Sequence, residues 1–161
     1  MNLKAMTRCA LFAALLAVCS WLWIPLGDGA VTMQTLGIFL TLGLLGGRKG
    51  CAAIFLYLCL GSVGLPVFSG FQGGFGVLLG PTGGYLWGFL GAAVAFWLLE
   101  KKLPLWANAI LCQLIIYACG LIWYAIAYGL GGFWLLLTYL LPDGVKIAVA
   151  LTLVGKIKPH M

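Results

Sequence analysis

The sequence predicts an all-α membrane protein, a bundle of six transmembrane helices in a single domain, and three observations carry the prediction. Of its 161 residues, 64% are apolar and 7% charged, whereas a soluble domain spends about 25% on charge to keep its surface wet. The apolar runs are long and unbroken, which suits spanning helices of roughly 20 residues and not the strict alternation over about 9–11 residues of a barrel strand. The nine Lys and Arg residues stand in ones and twos between those runs, so they form no basic stripe for nucleic acid. An apolar fraction this high also excludes collagen-like, disordered and disulfide-stapled secreted chains.

The first span is expected over about 5–26. Lys4 and Arg8 precede its apolar run as in a secretory signal, but the run continues through Trp21, Leu22 and Trp23 with no small-x-small cleavage site, so it reads as an uncleaved span. Ala10 with Ala14 and Ala13 with Ala17 form two overlapping small-x-x-x-small patterns on it. Such a strip lets another helix approach closely, either from this chain or from a partner. The second span is expected over about 30–45, with Thr32, Gln34 and Thr35 at its outer end. A buried Gln needs partners for two donors and an acceptor, so Gln34 is either interhelical glue or a ligand contact. The run Gly46-Gly47-Arg48-Lys49-Gly50 lacks the spacing of a phosphate-binding loop and reads as a turn with topology-setting charges.

The third span is expected over about 51–67, the fourth over 83–99, the fifth over 105–128 and the sixth over 142–157. Pro142 suits the first turn of a helix. The second and sixth are short and fit a thinned bilayer or cover from neighbouring segments. Glu100, beside Lys101 and Lys102, reads as part of a solvated turn, and the Trp residues near span ends as an interfacial belt. With the N-terminus inside, Lys4, Arg8, Arg48, Lys49, Lys101, Lys102, Lys156 and Lys158 all lie on the cytoplasmic side. Loops around 27–29, 68–82 and 129–141 are then outside and carry no Lys or Arg. Both termini are therefore expected in the cytoplasm of a multi-pass protein of the cell membrane.

Little in the chain can do covalent chemistry. The one histidine is His160, near the C-terminus, and the six cysteines show no CxxC pairing. Metal sites, His-based hydrolysis and ATP hydrolysis therefore have no basis here, and neither an enzyme nor a cofactor is expected. Active transport would draw on an ion gradient or on another subunit.

Two constellations remain. Asp143 and Lys146, spaced i, i+3, share one helix face, where they neutralise each other or hold a polar ligand between them. Asp143 alone suits a helix start, but Lys146 opposes the helix dipole there and is the one cation on the outer side. The alternative is an interfacial pair that snorkels to the headgroups. In the loop, seven of the fifteen residues from Gly70 to Gly84 are Gly, interleaved with Phe and Leu and without charge. That suits a non-helical lid that folds back and lets backbone approach a ligand closely; the alternative is a flexible apolar connection.

The runs Val31-Thr32-Met33-Gln34-Thr35-Leu36, Gly64-Leu65-Pro66-Val67-Phe68, Gly80-Pro81-Thr82-Gly83-Gly84-Tyr85-Leu86 and Pro142-Asp143-Gly144-Val145-Lys146-Ile147 closely resemble the BioY family, the biotin-binding S components of energy-coupling-factor vitamin transporters. The resemblance runs in order along nearly the whole chain. It implies a six-helix domain of the S-component type that captures biotin from outside for ATP-driven uptake. It also implies docking of the strip Ala10, Ala13, Ala14 and Ala17 onto a transmembrane coupling protein that carries two cytoplasmic ATPases, all within membrane lipid.

By the resemblance, Asp143 and Lys146 are polar ligand contacts, and the Gly-rich loop is the lid. The expected contact set also holds Gln34, Phe71, Gln72, Gly73, Gly74, Thr82 and Tyr85. Biotin presents a ureido ring with two N–H donors and a carbonyl acceptor, an apolar ring and an ionised tail. The ureido end is expected on Asp143 with Lys146 nearby, and Phe and Tyr against the apolar part. The rival reading is a solitary ion-coupled transporter or facilitator, with Asp143 and Lys146 as its relay.

Overall fold

A computed structural model of the protein describes residues 3–26, 29–129 and 133–160. Parts of two expected outer loops, 27–28 and 130–132, lie outside the described residues. Among the described residues, seven α-helices and one β-hairpin make up the fold: α1 Leu3–Trp21, β1 Trp23–Leu26, β2 Gly29–Thr32, α2 Gln34–Leu45, α3 Gly47–Ser62, α4 Phe75–Leu79, α5 Gly83–Leu99, α6 Leu105–Tyr128 and α7 Phe133–Ile157. Single 3-10 turns cover Ser69–Phe71 and Lys158–His160.

α1, α2, α3, α5, α6 and α7 share one core, to which Leu16 of α1, Leu42 of α2, Ile54 of α3, Ala92 of α5, Ile116 of α6 and Ala150 of α7 all contribute. The opposite faces are equally apolar: Leu114, Ile122 and Ile126 of α6 and Leu140, Leu141 and Val145 of α7 are exposed. Apolar residues on both the inner and the outer face are what a lipid-embedded bundle requires. Among the described residues, α1 and most of α6 are long and apolar enough to cross a bilayer, and α2 and α5 are shorter apolar helices.

Lipid supplies no hydrophobic drive for helix association, so close packing has to hold the bundle together. Small residues provide it. A side chain on Gly88 of α5 would meet the Ile116 backbone of α6 at 3.0 Å, and one on Gly43 of α2 would meet Val154 of α7 at 2.6 Å. The alanine strip divides between two environments. Ala13 and Ala17 are buried in the core of this chain, while Ala10 and Ala14 face outward.

Several element boundaries differ from the sequence expectation. The first span stops at Trp21, and the segment expected to continue it folds as a hairpin with Trp23 opposite Thr32 and Pro25 opposite Ala30. Pro25 is tolerated because a two-stranded ribbon leaves one side of each strand unpaired. α2 consequently starts at Gln34 and, at 12 residues, rises only about 18 Å. The turn expected over 46–50 contracts to Gly46 alone, whose φ of 78° permits the reversal, and Gly47, Arg48 and Lys49 already belong to α3.

The expected loop 68–82 contains the short helix α4. Glu100 stands in the turn after α5, half-buried, and does more than its solvated-turn reading implied: its carboxylate accepts the Gly47 backbone N–H at 2.6 Å and so caps α3. Finally, Pro142 lies inside α7, nine residues after its start. Pro gives up an intrahelical N–H, but in an apolar bundle neighbouring groups compensate, so the first-turn rule fails here.

Candidate ligand site and family

A cavity of about 70 Å³ lies where the short α2 leaves room beneath the hairpin. β2 contributes Ala30, Val31 and Thr32 to its wall, α2 contributes Gln34 and Thr35, and the α3–α5 connection contributes Phe68, Ser69 and Val77. Thr82 stands at the start of α5, with Tyr85 and Phe89 one and two turns on; Ile116 and Tyr117 come from α6, and Tyr139, Asp143 and Lys146 from α7. The Tyr85 and Tyr139 rings meet edge to face at 5.9 Å.

Asp143 and Lys146 are both buried, and the Lys146 ammonium donates to Asp143 Oδ1 at 2.7 Å. One helical turn separates them, as their i, i+3 spacing requires. The carboxylate draws on two further helices. Thr35 Oγ1 of α2 donates to Oδ1 at 2.9 Å, while Gln113 Nε2 and Tyr117 Oη of α6 donate to Oδ2 at 3.1 and 2.9 Å. A buried ion pair needs such extra bonds to offset desolvation. Gln113 Oε1 is buried without a partner among the described residues.

A second polar chain secures the wall on the hairpin side. Thr32 Oγ1 donates to Gln34 Oε1 at 3.2 Å, Gln34 Nε2 to Tyr57 Oη at 2.6 Å, and Tyr57 Oη to the Val67 carbonyl at 3.0 Å. Ser20 Oγ donates to the same carbonyl at 2.6 Å. The α3–α5 connection is also clasped by three indoles: Trp21 donates to the Pro66 carbonyl at 2.8 Å, Trp87 to Leu78 at 3.2 Å and Trp123 to Gly80 at 3.0 Å. These Trp residues therefore do more than mark an interface, because each donates to a carbonyl of non-helical or terminal backbone, where lipid offers no donor.

Of the residues proposed from sequence, the cavity gathers Gln34, Thr82, Tyr85, Asp143 and Lys146. Gln72 and Gly73, with Thr82, line a separate open recess on the connection. Gly74 takes φ 99° and donates its N–H to the Gly61 carbonyl at 2.7 Å, which folds the connection back onto α3. Phe71 is exposed and stacks on Trp21 at 5.2 Å instead of lining the cavity. Sequence reasoning did not single out Gln113 and Tyr117. The available signal was an amide and a phenol at i, i+4 on one face of a largely apolar helix that also carries Asn108.

Comparison with known proteins agrees with this architecture. The BioY family matches residues 1–161. A probable biotin transporter BioY of Pyrococcus horikoshii is 33% identical over 160 residues, 98% of each chain. The biotin transporter BioY of Thermotoga maritima is 46% identical over 101 residues, which span 62% of this chain and 60% of that protein. A crystal structure of the S-component for biotin from an ECF-type ABC transporter superposes with a TM-score of 0.83 at 25% identity, covering 99% of this chain and 95% of that one. With the family matched along its entire length, this membrane protein belongs to the BioY family.

Proposed function

We propose that the chain is the substrate-binding membrane subunit that captures biotin from outside the cell for ATP-driven uptake by an ECF-type transporter. The observation that carries the reading is the cavity itself. A buried Asp143–Lys146 pair faces three aromatic side chains, Tyr85, Phe89 and Tyr139, in one enclosure. Biotin combines the same two characters, a polar ureido and carboxylate at its ends and an apolar body between. At about 70 Å³ the cavity is smaller than the roughly 300–1,000 Å³ of sites that bury whole ligands, so uptake of biotin requires a wall to move outward.

The chain is read as multi-pass with both termini in the cytoplasm, because that orientation gathers eight of the nine cations on the inner side. The hairpin and the α3–α5 connection then face outward and cover the cavity. Nothing in the sequence resembles ATPase machinery, so concentration of biotin falls to a transmembrane coupling protein and two cytoplasmic ATPases. The outward pair Ala10 and Ala14 is the docking strip for the coupling protein, whereas Ala13 and Ala17 are occupied by packing within the chain.

Calorimetry of the purified protein in detergent against biotin, its biosynthetic precursors and other vitamins tests the reading. Saturable one-to-one binding of biotin alone supports it, and tighter binding of another vitamin overturns it. Ala10→Leu and Ala14→Leu are expected to leave that binding intact and to abolish co-purification of the coupling protein.

A further inference from the structure

Tyr85 and Tyr139 make an aromatic corner of the cavity, their rings edge to face at 5.9 Å. What seats Tyr85 in that corner stands on α6. A Cβ on Gly120 would lie 2.5 Å from Tyr85 Cζ and 2.6 Å from Cδ1, and would collide with Cε1 between them. Carbons pack at about 3.5–4.0 Å, so the ring intrudes by roughly 1 Å into the space that a side chain at position 120 would claim. Gly120 is buried within α6, where glycine is a poorer helix former than alanine, and its φ is not positive. The position therefore uses the missing side chain and not the freedom of the backbone.

The packing around the ring decides what a methyl group there would move. α5 and α6 interlock on both sides of Gly120: a Cβ on Gly84 would meet the Cys119 carbonyl at 2.7 Å and Trp123 Cγ at 2.8 Å, and one on Gly88 would meet the Ile116 backbone at 3.0 Å. Parting the helices would open all of these contacts at once, whereas the Tyr85 ring turns about its own side-chain bonds. Tyr139 stands on one side of the ring, and the cavity offers the space on another.

We infer, taking the cavity as the biotin site, that Gly120 is a positioning residue for ligand binding. By lacking a side chain it seats the Tyr85 ring back against α6 and so sets the width of the cavity at its aromatic corner. Gly120 does not itself line the cavity and acts through Tyr85. A methyl group at 120 drives the ring forward into a space of about 70 Å³ that already has to widen for biotin.

The test is calorimetric affinity for biotin, with Tm in detergent measured alongside. Gly120→Ala is expected to weaken binding by about tenfold or more. Gly43→Ala is the control for packing alone: it forces a like overlap, 2.6 Å from Val154, between α2 and α7 and away from the cavity lining. It should lower Tm yet keep affinity within about twofold of the parent. Trimming the ring gives the methyl group room, so adding Gly120→Ala to Tyr85→Ala should change affinity by no more than about twofold.

A Gly120→Ala protein with lowered Tm and affinity within about twofold of the parent overturns the inference and leaves biotin binding standing, because the glycine would then serve packing alone. An affinity loss in Gly43→Ala equal to that in Gly120→Ala overturns it as well. So does a loss of about tenfold on adding Gly120→Ala to Tyr85→Ala, since the methyl group would then act without the ring. Should Gly120→Ala alone not fold, that last comparison decides. Failure of the parent to bind biotin overturns the functional reading and this inference together.

Discussion

Between α2 and α3 the chain turns on one residue, Gly46, whereas between α3 and α5 it runs through residues 63–82 and folds a short helix on the way. The first connection is closed by direct packing. A side chain on Gly47 would lie 2.8 Å from Trp97 Cβ and would also collide with the Trp97 backbone, and the Gly47 N–H is capped by Glu100. The second is held by side-chain hydrogen bonds to its carbonyls from Ser20, Trp21, Tyr57, Trp87 and Trp123, which stand on four different helices. Interlocked backbone cannot open without being rebuilt, while each clasp can be released singly at about 1 kcal/mol. One end of the bundle is a fixed base and the other is a wall assembled from separable parts.

The contrast can be broken most severely at the base. Gly47→Val is expected to destabilise the protein by about 1–3 kcal/mol through overpacking against Trp97, seen as a lower Tm in detergent with biotin affinity unchanged in the fraction that folds. Glu100→Ala removes the cap of α3 and should cost about 1–2 kcal/mol by the same measurement, again without effect on affinity. At the other end, Trp123→Phe keeps the ring packed but removes the indole bond to the Gly80 carbonyl, which keeps its bond from the Gly83 N–H. It should cost about 1 kcal/mol and raise the rates of biotin binding and release together in stopped-flow fluorescence. Phe71→Ala, which removes the stack on Trp21, should cost about 0.5–1 kcal/mol and appear mainly as faster release. If the base variants altered binding kinetics as strongly as the connection variants, the two ends would not differ in function.

How far the sequence could be read follows the same division. α5 and α6 occupy the intervals 83–99 and 105–128 that their apolar runs mark out, because length and composition act locally. The hairpin escaped notice since Trp23 to Leu26 is as apolar as the helix before it, and periodicity cannot separate short apolar strands from helix ends. Pro142 misled for a related reason: the rule that places Pro at a helix start holds for isolated helices, and α7 is supported by its neighbours. At the cavity, Asp143 and Lys146 announce themselves through the cost of charge in an apolar segment. Gln113 and Tyr117 do not, because their meeting with Asp143 depends on how α6 lies against α7, and no spacing within either helix encodes that. Phe71, a member of the contact set through the family resemblance, stacks on Trp21, fifty residues earlier, a contact that no spacing along the chain encodes.

The pairing of Asp143 with Lys146 has an electrical corollary. Opposite unit charges 2.7 Å apart form a dipole with no net monopole, and a membrane voltage does about 2.3 kcal/mol of work per 100 mV only on net charge carried across it. The pair is thus invisible to the cell's membrane potential to first order. Of the pair and an anionic guest beside it, only the guest carries net charge for the potential to act on.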